Sequence, residues 1–190
     1  MLGIFRNRQR DALVSRLYGE IAAQARHPSL YLDYAVPDTI EGRYDMMVLH
    51  AFLALRRLGQ GDDDHRRLAQ ELCDRFFTEM DRAFREMGVG DMGVPKRMQS
   101  IAEVYAGASG AYAAALLADA GKETGDAALV SALSRNIYGG DGGADDAARL
   151  AGYVRLCEQR LAATSLGTLV EQGLAFASPQ AADGAAHDRA

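Results

Sequence analysis

The sequence predicts an all-α fold, a single compact bundle of six or seven helices. Three observations carry this expectation. The chain has 34 Ala and 21 Leu but only 14 Val and Ile together. Ala and Leu favour helix, whereas β-branched residues favour strand. Apolar residues recur at three- and four-residue spacing along most of the chain, the period of a one-sided helix. At 190 residues, 48% hydrophobic and 25% charged, the chain fits one globular domain that buries roughly 70% of its unfolded surface.

The first helix is expected from Asn7 to Ala25, where Leu13, Val14, Leu17 and Ile21 share a face. His27-Pro28 ends it, because a residue before proline avoids the helical region. A loop from Ser29 to Gly42 follows, with Tyr31, Tyr34 and Pro37. Its tyrosines either serve function, as long loops often do, or plug a gap in the core. The second helix is expected from Arg43 to Leu58, with Met46, Leu49, His50 and Leu53 as its stripe, and Gly59-Gln60-Gly61 stops it.

Asp62, Asp63 and Asp64 open the third helix, where carboxylates suit the N-cap and the helix dipole. It reaches Met87 through Leu68, Leu72, Phe76, Met80 and Phe84, the strongest amphipathic pattern in the chain. This helix is expected to lie centrally. Gly88 caps it, and Pro95 opens a fourth helix running to Ala120. The small-residue middle of the fourth, Gly107 to Ala115, is expected to admit another helix closely. Helices at Gly125–Asn136, Asp145–Thr164 and Ser165–Gly173 follow, with a flexible break at Gly139–Gly143. Residues 1–177 are expected to form the domain and 178–190 a disordered tail.

The formal charge is -5, from 21 basic and 26 acidic residues. That balance disfavours a nucleic-acid partner bound through a basic face. Cys73 and Cys157, far apart and within apolar patterns, read as buried free thiols of a reducing compartment. No unbroken run approaches 18 apolar residues, so no membrane span is expected. The start, MLGIFRNRQR, is too short in apolar residues for a signal peptide. A cytoplasmic location follows as the expectation.

Catalytic signatures are weak. Gly88-Val89-Gly90-Asp91-Met92-Gly93 matches GxGxxG, but a dinucleotide fingerprint needs a strand before it, and a long helix precedes it here. Asp62-Asp63-Asp64-His65-Arg66 approaches the aspartate-rich motif of all-helical prenyl-diphosphate enzymes, which hold magnesium on paired carboxylates. Arg66 stands where a further acid is needed, and no second acidic motif faces it. His27, His50, His65 and His187 have no metal-ligand spacing. No metal and no cofactor are expected. His50 lies on the apolar side of its helix and reads as a satisfied core histidine.

One stretch is more specific. Gly42-Arg43-Tyr44-Asp45-Met46-Met47-Val48-Leu49-His50 is followed by Leu72-Cys73-Asp74-Arg75-Phe76-Phe77-Thr78-Glu79-Met80-Asp81. Then come Arg85-Glu86-Met87-Gly88-Val89-Gly90-Asp91 and Val94-Pro95-Lys96-Arg97-Met98. Together these resemble the ubiquinol–cytochrome c chaperone family, from about Pro37 to Ala115 and more loosely to Ala175. The chain starts close to the matched stretch, as expected of a bacterial member. It departs at Gly107-Ala108, where the family usually has Gly-Arg, so no role is carried over for that arginine.

The resemblance implies a non-catalytic helical chaperone that binds newly made cytochrome b during biogenesis of ubiquinol–cytochrome c reductase, with room for a small partner subunit. It implies client or partner contacts at Arg43, His50, Asp81, Arg85, Asp91, Lys96, Tyr105 and Tyr112. The charged members of that set read equally as a network of ion pairs, and Asp81 and Arg85, four apart, can pair on one helix. The rival readings are a prenyl-diphosphate enzyme and a helical adaptor for another client. Ile4 and Phe5, followed by Arg6, Arg8 and Arg10, suggest a weak peripheral contact with the cytoplasmic face of the inner membrane. The alternative folds Ile4 and Phe5 back onto the helical core.

Overall fold

Nine consecutive residues, Met46–Ala54, are all buried. A helix buried all round must be wrapped by others, and this one is. It belongs to α3 (Ile40–Gly59), which contacts α1 (Leu2–Ala25), α4 (Asp63–Glu86), α5 (Val94–Ala118), α6 (Ala127–Ile137) and α7 (Ala144–Ala163). Two short helices, α2 (Pro28–Leu32) and α8 (Leu166–Gln172), complete the order. The structure is a computed structural model describing residues 2–86, 94–118, 126–140 and 143–179. Those residues contain no strand, and the fold is the expected all-α bundle. All seven expected helices are present. The addition is α2, a single turn inside the expected loop.

Local chemistry explains the ends. Thr39 caps α3, its hydroxyl accepting from the Gly42 N–H at 3.1 Å. Asp62 does the same for α4, one carboxylate oxygen accepting from the N–H groups of Asp64 and His65, each at 3.1 Å. His27 ends α1 and also starts α2: its Nδ1 accepts from the Ser29 N–H at 3.3 Å, and Pro28 takes the first helical position. Proline there loses no hydrogen bond, because that N–H would be unpaired anyway.

The centre of the bundle is α3, not α4 as the amphipathic pattern suggested. Leu68, Leu72, Phe76 and Met80 do form one buried face of α4. Its other faces expose Asp63, Arg66, Arg67, Gln70, Asp74 and Arg82. A strong one-sided pattern therefore marks a peripheral helix, and a nearly all-apolar one the centre. The side chain of Phe84 and all of Met87 lie outside the described residues.

A strap from Gly173 to Pro179 crosses the bundle after α8. Gly173 turns at φ 111°, and the Leu174 N–H donates to the Glu20 carboxylate at 2.7 Å. Gln24 donates to the Ala177 carbonyl, and Tyr34 donates to the Pro179 carbonyl. Tyr34 is buried, and its own carbonyl accepts from the Tyr138 hydroxyl at 2.7 Å. The loop tyrosine Tyr34 thus plugs the core. Pro179 is buried; residues 180–190 of the expected tail lie outside the described residues.

α5 differs from the sequence expectation twice. Its Ile101–Ala118 stretch is long and apolar enough to cross a membrane by length and composition, yet only 28% of that stretch is buried in the bundle. No unbroken apolar run marks it, because Glu103, Ser109 and the glycines interrupt the stretch. Gly107 and Gly110 are exposed and have open space where a Cβ would project. No helix comes close at these two glycines among the described residues.

Candidate functional site

The structure separates the eight candidate contact residues into three groups. His50 and Tyr112 are interior. His50 is fully buried, with Nδ1 2.8 Å from the Met46 carbonyl and Nε2 2.7 Å from the Tyr153 hydroxyl. Burial drives its pKa down to about 4, opposed by the bond to Met46, so the ring is neutral at pH 7. A neutral ring then donates from Nδ1 and accepts at Nε2. Tyr112 is buried with its ring 5.7 Å from that of Phe52. Neither side chain offers a surface to a client.

Tyr105 is half-buried against Phe76 and Phe77, with ring centroids at 5.6 and 5.4 Å, and seats α5 on α4. Asp81 pairs with Arg85 at 2.8 Å on α4, the local ion pair their spacing allows. Asp91 lies outside the described residues, as does the whole GxGxxG run. Lys96 is in the first turn of α5, and its side chain lies outside the described residues.

Arg43 is the candidate that faces solvent beside an apolar hollow. Its Nε–H donates to Asp38 at 2.6 Å, and its guanidinium sits over the Tyr31 ring at 5.2 Å. It borders a groove of about 240 Å³ between α3, α4 and the turn after α1. Met47, Met80, Tyr44 and Ala83 form the floor, and Arg26, Arg43 and Ile40 the rim. Both methionines are buried, while Ile40 is 56% exposed. Arg26 and Ile40 had no motif to mark them: one follows the last residue of α1, the other opens α3. Only the packing of α1 on α3 brings them together.

On the α5 side of α3, the Tyr44 hydroxyl donates to the Ile101 carbonyl at 3.0 Å. The neighbouring Asp45 is half-buried and has no hydrogen bond or ion pair among the described residues. Desolvation, and then the nearby Glu41 charge, push its pKa up to about 6. The Tyr112 hydroxyl is likewise buried without a partner among the described residues. Burial raises its pKa first, and the Asp45 charge adds to this.

The N-terminal candidates divide too. Arg10 is held by α4, with Nε 2.6 Å from Glu71 and a terminal nitrogen 3.2 Å from Asp64. Arg8 is exposed. α1 begins at Leu2, five residues before the expected start, so Ile4, Phe5 and Arg6 are helical; their side chains lie outside the described residues. The aspartate triplet is consumed locally. Asp62 caps α4 and bonds the His65 ring at 2.6 Å, Asp63 pairs with Arg66 at 2.6 Å, and Asp64 pairs with Arg10. No group of three metal-ligating side chains occurs among the described residues.

Comparison with known proteins adds identity to this geometry. The profile of the ubiquinol-cytochrome C chaperone family matches residues 32–176. The crystal structure of the Cbp3 homolog from Brucella abortus superposes with a TM-score of 0.82 at 39% sequence identity, covering 94% of this chain and 97% of that one. No curated protein matches the chain. A profile spanning well over half the residues, and a solved relative alike along nearly its whole length, place this chain in the ubiquinol–cytochrome c chaperone family.

Proposed function

We propose that this protein binds newly made cytochrome b and holds it, without catalysis, at the cytoplasmic face of the inner membrane. Membership of the family makes it a chaperone in ubiquinol–cytochrome c reductase assembly; the client, the absence of a reaction and the location are the proposal. The observation that carries it is the outward face of α5. Val104 is 45% and Leu117 67% exposed. Ala102, Ala106, Gly110, Ala114 and Ala118 are exposed at four-residue intervals, and Glu103 is the one charged residue from Ile101 to Ala118. A water-exposed face that apolar suits a protein or membrane partner. Small residues in a row allow the close backbone approach on which apolar helices pack when lipid is the alternative. A membrane-spanning segment of cytochrome b awaiting its haem and partner subunits has the matching chemistry.

Deleting the gene tests the reading. Assembled reductase should fall while the cytochrome b transcript stays constant, and newly made cytochrome b should co-purify with the tagged chaperone. An unchanged level of assembled complex in the deletion strain would defeat the proposal.

A further inference from the structure

We infer that the groove between α3, α4 and the turn after α1 docks a second polypeptide segment, one that sets an apolar side chain beside a carboxylate. Among the described residues, none that lines the groove belongs to α5, so this surface is separate from the apolar face proposed for the client. Its chemistry is different as well. The floor is apolar, and two of its members are methionines, whose unbranched thioethers adapt to varied side chains. The volume, about 240 Å³, falls below the usual range of ~300–1,000 Å³ for small-molecule pockets. It is sized for a side chain or two, not for a cofactor.

The rim supplies the charge. The Arg26 side chain is exposed and makes no ion pair among the described residues. Arg43 gives only its Nε–H to Asp38, so both terminal amino groups remain without a protein acceptor among the described residues. A guanidinium offers five N–H donors in a planar fork that fits a carboxylate with two parallel bonds. Tyr31 lies under the Arg43 guanidinium, its ring centroid 5.2 Å from the central carbon, and attracts the cation. Ile40 extends the apolar surface at the rim. Leu32, next to Tyr31 in the chain, is 80% exposed.

A purely acidic segment would use the arginines and leave the floor wet. A basic segment would meet Arg26, unpaired among the described residues, and Asp38 offsets only the charge of Arg43. An apolar residue flanked by Glu or Asp uses both parts at once, which is the charge complementarity that sets specificity at an interface. The docking partner is therefore acidic and amphipathic, unlike an uncharged membrane-spanning segment.

The test needs neither cytochrome b nor a membrane, so its failure is distinct from failure of the client proposal. Fluorescein-labelled helical peptides carry one Leu-based apolar face flanked by Glu, Gln or Lys, and binding to the full chain is read by fluorescence anisotropy. The Glu peptide should bind about tenfold tighter than the Lys peptide. Arg26→Glu with Arg43→Glu should invert that order, and Arg26→Gln with Arg43→Gln should abolish the preference. Both positions are exposed, and unchanged thermal melts would verify that the variants fold. Equal binding of Glu and Lys peptides, no binding of either, or a Glu preference that survives charge reversal would each overturn the inference.

Discussion

His50 and Asp45 lie on the same helix and pull the pH dependence of stability in opposite directions. His50 has a folded pKa of about 4, below its unfolded 6.5. The unfolded state therefore binds more protons between those values, and the His50 contribution, complete above pH 6.5, is lost as pH falls towards 4. Asp45 is raised from 3.8 to about 6. Its contribution is complete below pH 3.8 and is lost as pH rises towards 6. The variant Asp45→Asn removes only the second effect. Its melting temperature should match that of the wild type near pH 4 and exceed it increasingly up to pH 7. A gain of about 1 kcal/mol there, kept small because the carboxylate is partly exposed, corresponds to roughly 2–4 °C. A difference constant from pH 4 to pH 7 would show that Asp45 does not titrate as its burial implies. Gly42 makes a second case. A Cβ there would stand 2.0 Å from the Pro37 carbonyl oxygen, a backbone atom that cannot swing aside. Gly42→Ala should cost about 1–3 kcal/mol, read as a lower melting temperature. Gly42 opens the family-like stretch, and close approach to Pro37 gives that glycine a structural reason. The sequence named Arg43 but not Arg26, because the groove they share depends on where α1 ends against α3. It named His50 for its place in a motif, and its place on the apolar stripe correctly made it core.

At the scale of elements, the helices legible in the sequence are those with one clear apolar face. The four-residue spacing from Leu68 to Met80 marks the buried side of α4 within a residue or two at its ends. Truncating Phe76 there, packed at 5.5 Å from Phe77 and 5.6 Å from Tyr105, should cost about 3–5 kcal/mol in thermal or urea unfolding. A loss under 1 kcal/mol would mean that α5 does not rest on that aromatic cluster. α5 itself was legible as a helix but not as a surface. Ala and Gly on nearly every side leave no periodic contrast, so only packing tells which side faces water. That exposure yields a paired expectation. Leu117→Ser should move stability by no more than about 0.5 kcal/mol, yet reduce cytochrome b recovered with the tagged protein. A large stability loss would place Leu117 in the core, and undiminished recovery would remove α5 from the client surface. The five residues of α2 are too few for any period; its trace in the sequence is Pro28 directly after a residue whose side chain can accept a hydrogen bond.

For the molecule as a whole, the N-terminal end of α1 decides how the bundle could meet a membrane. Arg10 is tied to Glu71 and Asp64, so any attraction to anionic headgroups would fall to Arg6 and the exposed Arg8. Each adds about 1 kcal/mol near a charged surface. Ile4 and Phe5, with Met1 and Leu2, would add shallow insertion. Deleting residues 1–10 would confuse two effects, because it also cuts the ties between α1 and α4. Deleting residues 1–8 separates them. The shortened protein should melt within about 2 °C of the full chain, since the first few residues of a domain contribute little unless they are tied down. It should also lose salt-sensitive binding to vesicles containing anionic lipid, measured by co-flotation at low and high salt. Charge reversal at Arg8 alone, Arg8→Glu, should weaken that binding without touching the Arg10 pairs. If full-length and shortened proteins float equally, or neither does, α1 is not the membrane contact. The apolar face of α5 would then have to reach a membrane-inserted client from a bundle held at the surface by the client alone.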